Sequence, residues 1–150
     1  MDLYIKETRF KRLGIFTKSA IEKNELITMI GTSTLTSLPT MYSIQIGFNT
    51  HVEPHGVIKF INHSCVPNCK IKQISPDTGD LMLIAITDIC SDSELTYNYL
   101  TTDYDIQFPF MCCCGHLDEC IQSISGFRRL KPMQKQRILI FGVLPYLQDK

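Results

Sequence analysis

Three short stretches of this chain concentrate side chains that can do chemistry. In the first, Asn62-His63-Ser64-Cys65-Val66-Pro67-Asn68-Cys69, amide, imidazole and thiol groups stand together behind an apolar lead, Phe60-Ile61. Read alone, such a block serves as a hydrogen-bonded turn, as a metal site or as half of a Cys-His nucleophile pair. The nucleophile reading is weak, because that catalysis brings its His and Cys together across the fold, not from positions two apart in the chain. In the second stretch, Glu94-Leu95-Thr96-Tyr97-Asn98-Tyr99, a carboxylate precedes two tyrosines that would share one face of an extended strand. Two such phenols either pack half-buried on a sheet or line a narrow slot, each offering an apolar ring and a hydroxyl. The third, Cys112-Cys113-Cys114-Gly115-His116-Leu117-Asp118-Glu119-Cys120, holds four cysteines and a histidine in nine residues. Zinc takes four thiolate or imidazole ligands in a tetrahedron, and this run supplies three, leaving the fourth to come from elsewhere. A redox role lacks the Cys-x-x-Cys spacing and βαβ setting it normally has.

The elements that must hold these groups read as mainly β. Gly14 to Phe16, Leu26 to Ile30, Tyr42 to Phe48, Ile58 to Ile61, Ile71 to Ile74 and Leu81 to Ile86 are short runs rich in Ile and aromatics, separated by polar residues. Pro76-Asp77-Thr78-Gly79 carries turn chemistry and predicts a hairpin between its flanking runs. One helix is expected at the C-terminus: Pro132 suits a first turn and Gln134 to Leu144 keep good helix formers, with Ile138, Phe141 and Leu144 as a core-facing stripe.

The 150 residues, 44% hydrophobic, supply one core and no more. Fifteen Lys and Arg balance fifteen Asp and Glu, which gives no reason to expect direct nucleic-acid binding or an anionic membrane as partner. The balance conceals an asymmetry, because nine carboxylates and no Lys or Arg lie between Lys72 and Arg128. An acidic middle attracts a basic peptide if those groups converge, and otherwise forms ordinary solvated loops. No apolar run reaches the length of a membrane span, and the first residues lack the apolar core of a signal peptide, so an intracellular, cytoplasmic protein is expected, with nuclear or host-targeted variants of that setting open. In a reducing compartment the seven cysteines read as thiols or metal ligands.

Taken together and in this order, the three blocks resemble the SET domain of protein lysine methyltransferases followed by its post-SET cysteine segment. Arg12-Leu13-Gly14-Ile15-Phe16 with Glu25-Leu26-Ile27 is similar to the family's N-terminal Gly-x-Gly motif and following strand, Met41-Tyr42-Ser43-Ile44 to the strand with a cofactor-site tyrosine, and the cysteine run continues into Ile124-Ser125-Gly126-Phe127 as in small stand-alone members. The resemblance implies a β-clip fold of small curved sheets with a knot-like C-terminal segment and a C-terminal helix, divided as a SET domain over 1–109, a post-SET segment over 110–130 and a terminal helix over 131–150. It implies S-adenosylmethionine as cofactor, held by Lys11, Arg12, Leu13, Gly14, Tyr42, Asn62, His63 and Phe127. It implies a catalytic group of Tyr99, Tyr42 and Tyr97 around the lysine amine of a protein or peptide substrate, basic and histone-like. It implies a Zn2+ site of Cys65, Cys112, Cys114 and Cys120, with Cys113, Cys69 or His116 as substitutes. Two departures stand out: Arg12 and Asn24 occupy positions where the family commonly has glycine. The competing readings are a catalytically inactive, zinc-bearing SET-like module for protein interaction and a purely structural zinc protein.

Overall fold

Short runs with aliphatic residues at alternate positions bury one face each, and that period of two sets most of the architecture. The computed structural model describes residues 2–31, 35–75 and 78–150. In chain order these residues form β1 (Leu3–Thr8), β2 (Arg12–Thr17), β3 (Leu26–Ile30), β4 (Leu35–Thr36), β5 (Ile44–Gly47), β6 (Thr50–Val52), β7 (Asn62–His63), β8 (Cys69–Gln73), β9 (Leu81–Ala85), β10 (Glu94–Tyr97), β11 (Phe110–Met111), β12 (Ser123–Ile124) and α1 (Pro132–Ile138). Short 3-10 turns, among them Gly56–Phe60 and Tyr99–Thr101, join them.

The sheets are small, with orders β1-β2-β10-β7, β3-β9-β8, β4-β6-β5 and β11-β12. Two pairings assemble the site. β10 runs antiparallel to β2, matching Leu95 with Ile15, and parallel to β7, matching Thr96 with Asn62 and Tyr97 with His63. The Asn-His and Tyr-x-Tyr blocks, far apart in the chain, therefore become neighbouring strands. The expected hairpin is present as β8 against β9, from Cys69 opposite Ala85 to Gln73 opposite Leu81. Of its turn, Pro76 and Asp77 lie outside the described residues. In β9, Leu81, Leu83 and Ala85 are buried while Met82 and Ile84 are half-buried, the alternation of a one-sided strand.

Three expectations need correction. Ile58 to Ile61 is not a strand: Ile58 and Ile61 bury at a spacing of three, and the chain takes the 3-10 turn Gly56–Phe60. Tyr42 precedes its strand, because the Thr40 hydroxyl accepts from the backbone N–H of Tyr42 and of Ser43, both at 3.1 Å, and bends the chain until β5 begins at Ile44. The terminal helix is shorter than Gln134 to Leu144. The Gln134 side chain accepts from the Lys131 N–H at 2.8 Å to start it, but α1 closes at Ile138 and a 3-10 turn, Leu139–Phe141, runs into Gly142.

One core cluster joins Ile15, Ile44, Val52, Ile71, Leu83, Leu95 and Tyr97 across three sheets. A second joins Leu100, Ile124, Phe127, Ile138 and Leu147 beside the cysteines, so all three predicted segments share it. The chain after β12 is pinned to the stretch after β10: Phe127 N–H donates to the Asp103 carbonyl at 2.8 Å and Arg128 N–H to that of Tyr104 at 3.0 Å. Gly126, at φ 114°, permits this approach, since a Cβ there would lie 2.5 Å from the Tyr104 carbonyl oxygen.

Candidate functional site

Tyr97 ends β10 and Tyr99 opens the turn after it, which Asn98 caps by accepting from the Leu100 N–H at 3.0 Å. The two phenol rings lie 4.9 Å apart, tilted by 41°. The Tyr99 hydroxyl donates to the Ile61 carbonyl at 2.5 Å, and its ring meets the His63 ring edge-on at 5.3 Å and Phe110 at 6.0 Å. These residues wall a cleft of about 430 Å³, which Lys11, Tyr42, Asn62 and Asp103 also line. That is room for a small ligand or cofactor.

Burial, followed by the charge of Asp103, pushes both phenols well above their ordinary range, so Tyr97 and Tyr99 stay protonated and serve as hydrogen-bonding walls, not bases. With its proton directed at Ile61, the Tyr99 oxygen keeps lone pairs to accept from a donor in the cleft. Burial and the nearby Lys11 charge pull His63 down to about 3. Its Nδ1 accepts from the Tyr99 N–H at 3.1 Å, which leaves the proton of the neutral ring on Nε2, 3.4 Å from Cys65 Sγ.

At the mouth, Asn62 Nδ2 donates to the Leu13 carbonyl and to Glu94, each at 2.8 Å, and Glu94 also holds the Lys11 ammonium at 3.2 Å. Gly14 lies under this clasp, where a Cβ would stand 2.7 Å from Glu94 Oε1 and 3.0 Å from Asn62 Nδ2. Both residues that replace the family's glycines are in the left-handed region, Arg12 at φ 63° and Asn24 at φ 72°. The glycine-type backbone is kept without the glycine.

Sγ atoms of Cys65, Cys112, Cys114 and Cys120 all lie within 4.8 Å of one another. A tetrahedral zinc with bonds near 2.3 Å needs S···S edges of roughly 3.8 Å, and Cys65 Sγ is 3.7 Å from Cys112 Sγ. Backbone N–H groups of Ile121 and Gln122 point at the Cys65 and Cys120 sulfurs at 3.4 and 3.3 Å, as suits thiolates. Burial pushes the Cys65 and Cys112 thiols up, so a cation is what would let these two ionise beside their neighbours. The donor set fits zinc. Among the described residues, the substitutes stand apart: Cys69 is buried in β8 and bonds to Asn68 at 3.4 Å, Cys113 is exposed, and His116 is outside the cluster.

Of the residues picked from sequence, Lys11, Tyr42, Asn62, His63, Tyr97 and Tyr99 meet around the cleft. Arg12 and Leu13 do not line it; they flank a shallow depression at the β1–β2 turn, and Leu13 contributes its carbonyl to Asn62. Phe127 does not line it either, being buried in the second core cluster under the Lys135 ammonium. Asp103 carried no sequence signal of its role, and Glu94, which opens the tyrosine block, was given none of its own. Asp103 and Glu94 sit among other carboxylates of the acidic middle, and only Asp103 and Asp105 of that group reach the cleft wall among the described residues.

The family profile of the SET domain matches residues 12–100, more than half of the chain. The chain belongs to the SET domain family. It is similar in sequence to the Aspergillus fumigatus protein named histone-lysine N-methyltransferase, H3 lysine-4 specific, at 39% identity over 79 residues, 49% of this chain and 6% of that protein. It is 29% identical over 132 residues to human histone-lysine N-methyltransferase 2D, covering 76% of this chain and 2% of that protein. This SET chain thus spans a small fraction of the curated relatives it matches. In fold it is similar to KRYPTONITE, solved in complex with mCHH DNA, an H3(1-15) peptide and SAH, with a TM-score of 0.63, 22% identity, and coverage of 81% of this chain and 29% of that one. Among the described residues, no helix is long and apolar enough to cross a membrane.

Proposed function

We propose that this SET domain transfers a methyl group from S-adenosylmethionine to the side-chain amine of a lysine in a protein or peptide. The observation that carries the reading is the convergence of Tyr42, Asn62, His63, Tyr97 and Tyr99 on one cleft. The cofactor, when bound, supplies a methyl group already activated by its sulfonium. The rest is positioning. Lys11, Gly14, Asn62 and His63 form the cofactor side, with the Asn62–Glu94–Lys11 clasp fixing the mouth. Tyr97 and Tyr99 form the amine side, their rings excluding water and the Tyr99 oxygen accepting from the amine or its methyl. Cys65, Cys112, Cys114 and Cys120 hold zinc, which anchors β11 and so keeps Phe110 against Tyr99 and His63.

The substrate lysine is inferred to sit in a basic, histone-like segment, because the named relatives are histone methyltransferases and because Asp103 and Asp105 line the cleft. A nuclear site of action follows from the same relatives. On this reading the chain divides into a SET domain over 1–109, a post-SET segment over 110–130 and a terminal segment over 131–150. The test is incubation of the zinc-loaded protein with labelled S-adenosylmethionine and histone and peptide arrays, beside a Tyr99→Phe control. Label on lysine that the control lowers at least a hundredfold supports the reading. Calorimetry showing no cofactor binding would instead favour the inactive interaction module.

A further inference from the structure

Of the two carboxylates on the cleft wall, Asp103 is the one without an ion-pair partner among the described residues. Its carboxylate accepts from the Thr102 hydroxyl at 2.6 Å and from the Gln45 N–H at 3.4 Å. A carboxylate offers about four acceptor positions, so the remainder are free. Among the described residues no Lys, Arg or His pairs with it, whereas Asp105 is held by Arg128 at 2.8 Å. The cations that line the cleft are committed elsewhere: Lys11 to Glu94, and Lys59 over the Phe60 ring at 5.0 Å. The phenols of Tyr97, Tyr99 and Tyr146, which feel the Asp103 charge, stay protonated. The cleft wall therefore carries one carboxylate without an ion-pair partner among the described residues, close enough to Tyr97, Tyr99 and Tyr146 for its charge to act on their phenols.

We propose that Asp103 recognises the ammonium of the incoming lysine and accepts its proton before methyl transfer. The inference rests on the methyltransferase reading and names the group that makes the amine nucleophilic. One N–H bond of the ammonium breaks and an O–H bond forms on Asp103, the electron pair remaining on nitrogen. That pair then forms the N–C bond as the C–S bond breaks, sulfur keeping its pair and the positive charge passing to nitrogen. The proton on Asp103 leaves to water when the product departs. Burial pushes the Asp103 carboxyl up to about 7, although Thr102 and Gln45 pull it down, and an acceptor in that range works near neutral pH.

The test has an arm that needs no turnover. In the zinc-loaded full chain with SAH, ¹³C-labelled aspartate carboxyls are followed while n-butylammonium chloride is added, with Asp103→Asn used for assignment and Asp103→Glu keeping the charge. The Asp103 resonance is expected to titrate near pH 7 and to move with n-butylammonium, with affinity falling at least tenfold in Asp103→Asn and largely kept in Asp103→Glu. A resonance indifferent to the ammonium overturns the proposal. In the second arm, on a lysine peptide that the wild type methylates, Asp103→Asn is expected to lose about thirtyfold or more in kcat/KM at pH 7, to recover above pH 9, and to lose little on an aminooxy analogue whose amine is neutral at pH 7. Equal losses on both peptides assign Asp103 a structural role and overturn the proposal. If the wild type methylates no peptide, the methyltransferase reading is what fails, and the ammonium titration still decides whether Asp103 binds an alkylammonium.

Discussion

Arg12 and Asn24 hold a backbone conformation that suits glycine, at φ 63° and 72°. A non-glycine residue there costs on the order of 1 kcal/mol, less for asparagine, whose side chain tolerates this region. Arg12→Gly should therefore raise stability by about 0.5 kcal/mol or more, or roughly 1–3 °C in Tm for a chain this size, while Asn24→Gly changes little. A melt in which Arg12→Gly falls would show that the arginine side chain contributes more than its backbone strain removes. Gly14 is the opposite case, because its restriction is steric. A Cβ placed 2.7 Å from Glu94 Oε1 and 3.0 Å from Asn62 Nδ2 has to part the clasp. Gly14→Ala is expected to weaken S-adenosylmethionine binding at least tenfold in calorimetry while the far-ultraviolet dichroism stays native. Tyr97 lines the cleft; on the proposed methyl transfer its hydroxyl would crowd a growing methylammonium, so Tyr97→Phe should shift the product toward more methyl groups, and mass spectra with an unchanged distribution would remove that role.

At the scale of elements, the four-cysteine cluster, with zinc bound, would close a hairpin too small to hold itself. β11 and β12 match only Phe110 with Ile124 and Met111 with Ser123, and Phe110 is the residue that packs on His63 and Tyr99. Removing zinc should therefore increase hydrogen exchange across 110–124, leave β2, β8 and β9 protected, and lower methyl transfer without unfolding the domain. Full activity in a metal-free preparation, or global exchange, would each refute the clamp. This element also shows how much could be read in advance. The gathering of Asn62, His63, Tyr97 and Tyr99 on one cleft, and of Cys65 with Cys112, Cys114 and Cys120, could be anticipated because these residues stand in dense local blocks with distinctive side chains, whereas Lys11 and Tyr42 came only with the family resemblance. The bend at Tyr42 and the turn at Gly56–Phe60 were not, since Ile58, Lys59 and Phe60 suit a strand as well as a turn until burial at Ile58 and Ile61 decides the period. Asp103 was hidden for another reason. One aspartate among nine carboxylates becomes special only when the fold removes its water, and sequence does not show which one that is.

At the scale of the whole molecule, that desolvation works against the fold. Asp103 titrates near its ordinary range in the unfolded chain but at about 7 when folded, so between those values the folded state binds the additional proton. Stability attributable to this group is therefore greatest at low pH and is lost as pH rises from about 4 through 7, the opposite of a salt-bridged carboxylate. At pH 8 the folded protein carries a partly buried charge that Thr102 and Gln45 satisfy only in part. Asp103→Asn, which stays neutral and can still accept one of those hydrogen bonds, should raise stability at pH 8 by roughly 1–3 kcal/mol and have little effect at pH 4. The same substitution is the one expected to impair methyl transfer at neutral pH, and that pairing separates a functional carboxylate from a structural one. A structural aspartate would lose stability on replacement at pH 8. Denaturant melts of both forms at the two pH values measure the difference, and a less stable Asp103→Asn at pH 8 would mean that its hydrogen bonds outweigh its partly buried charge.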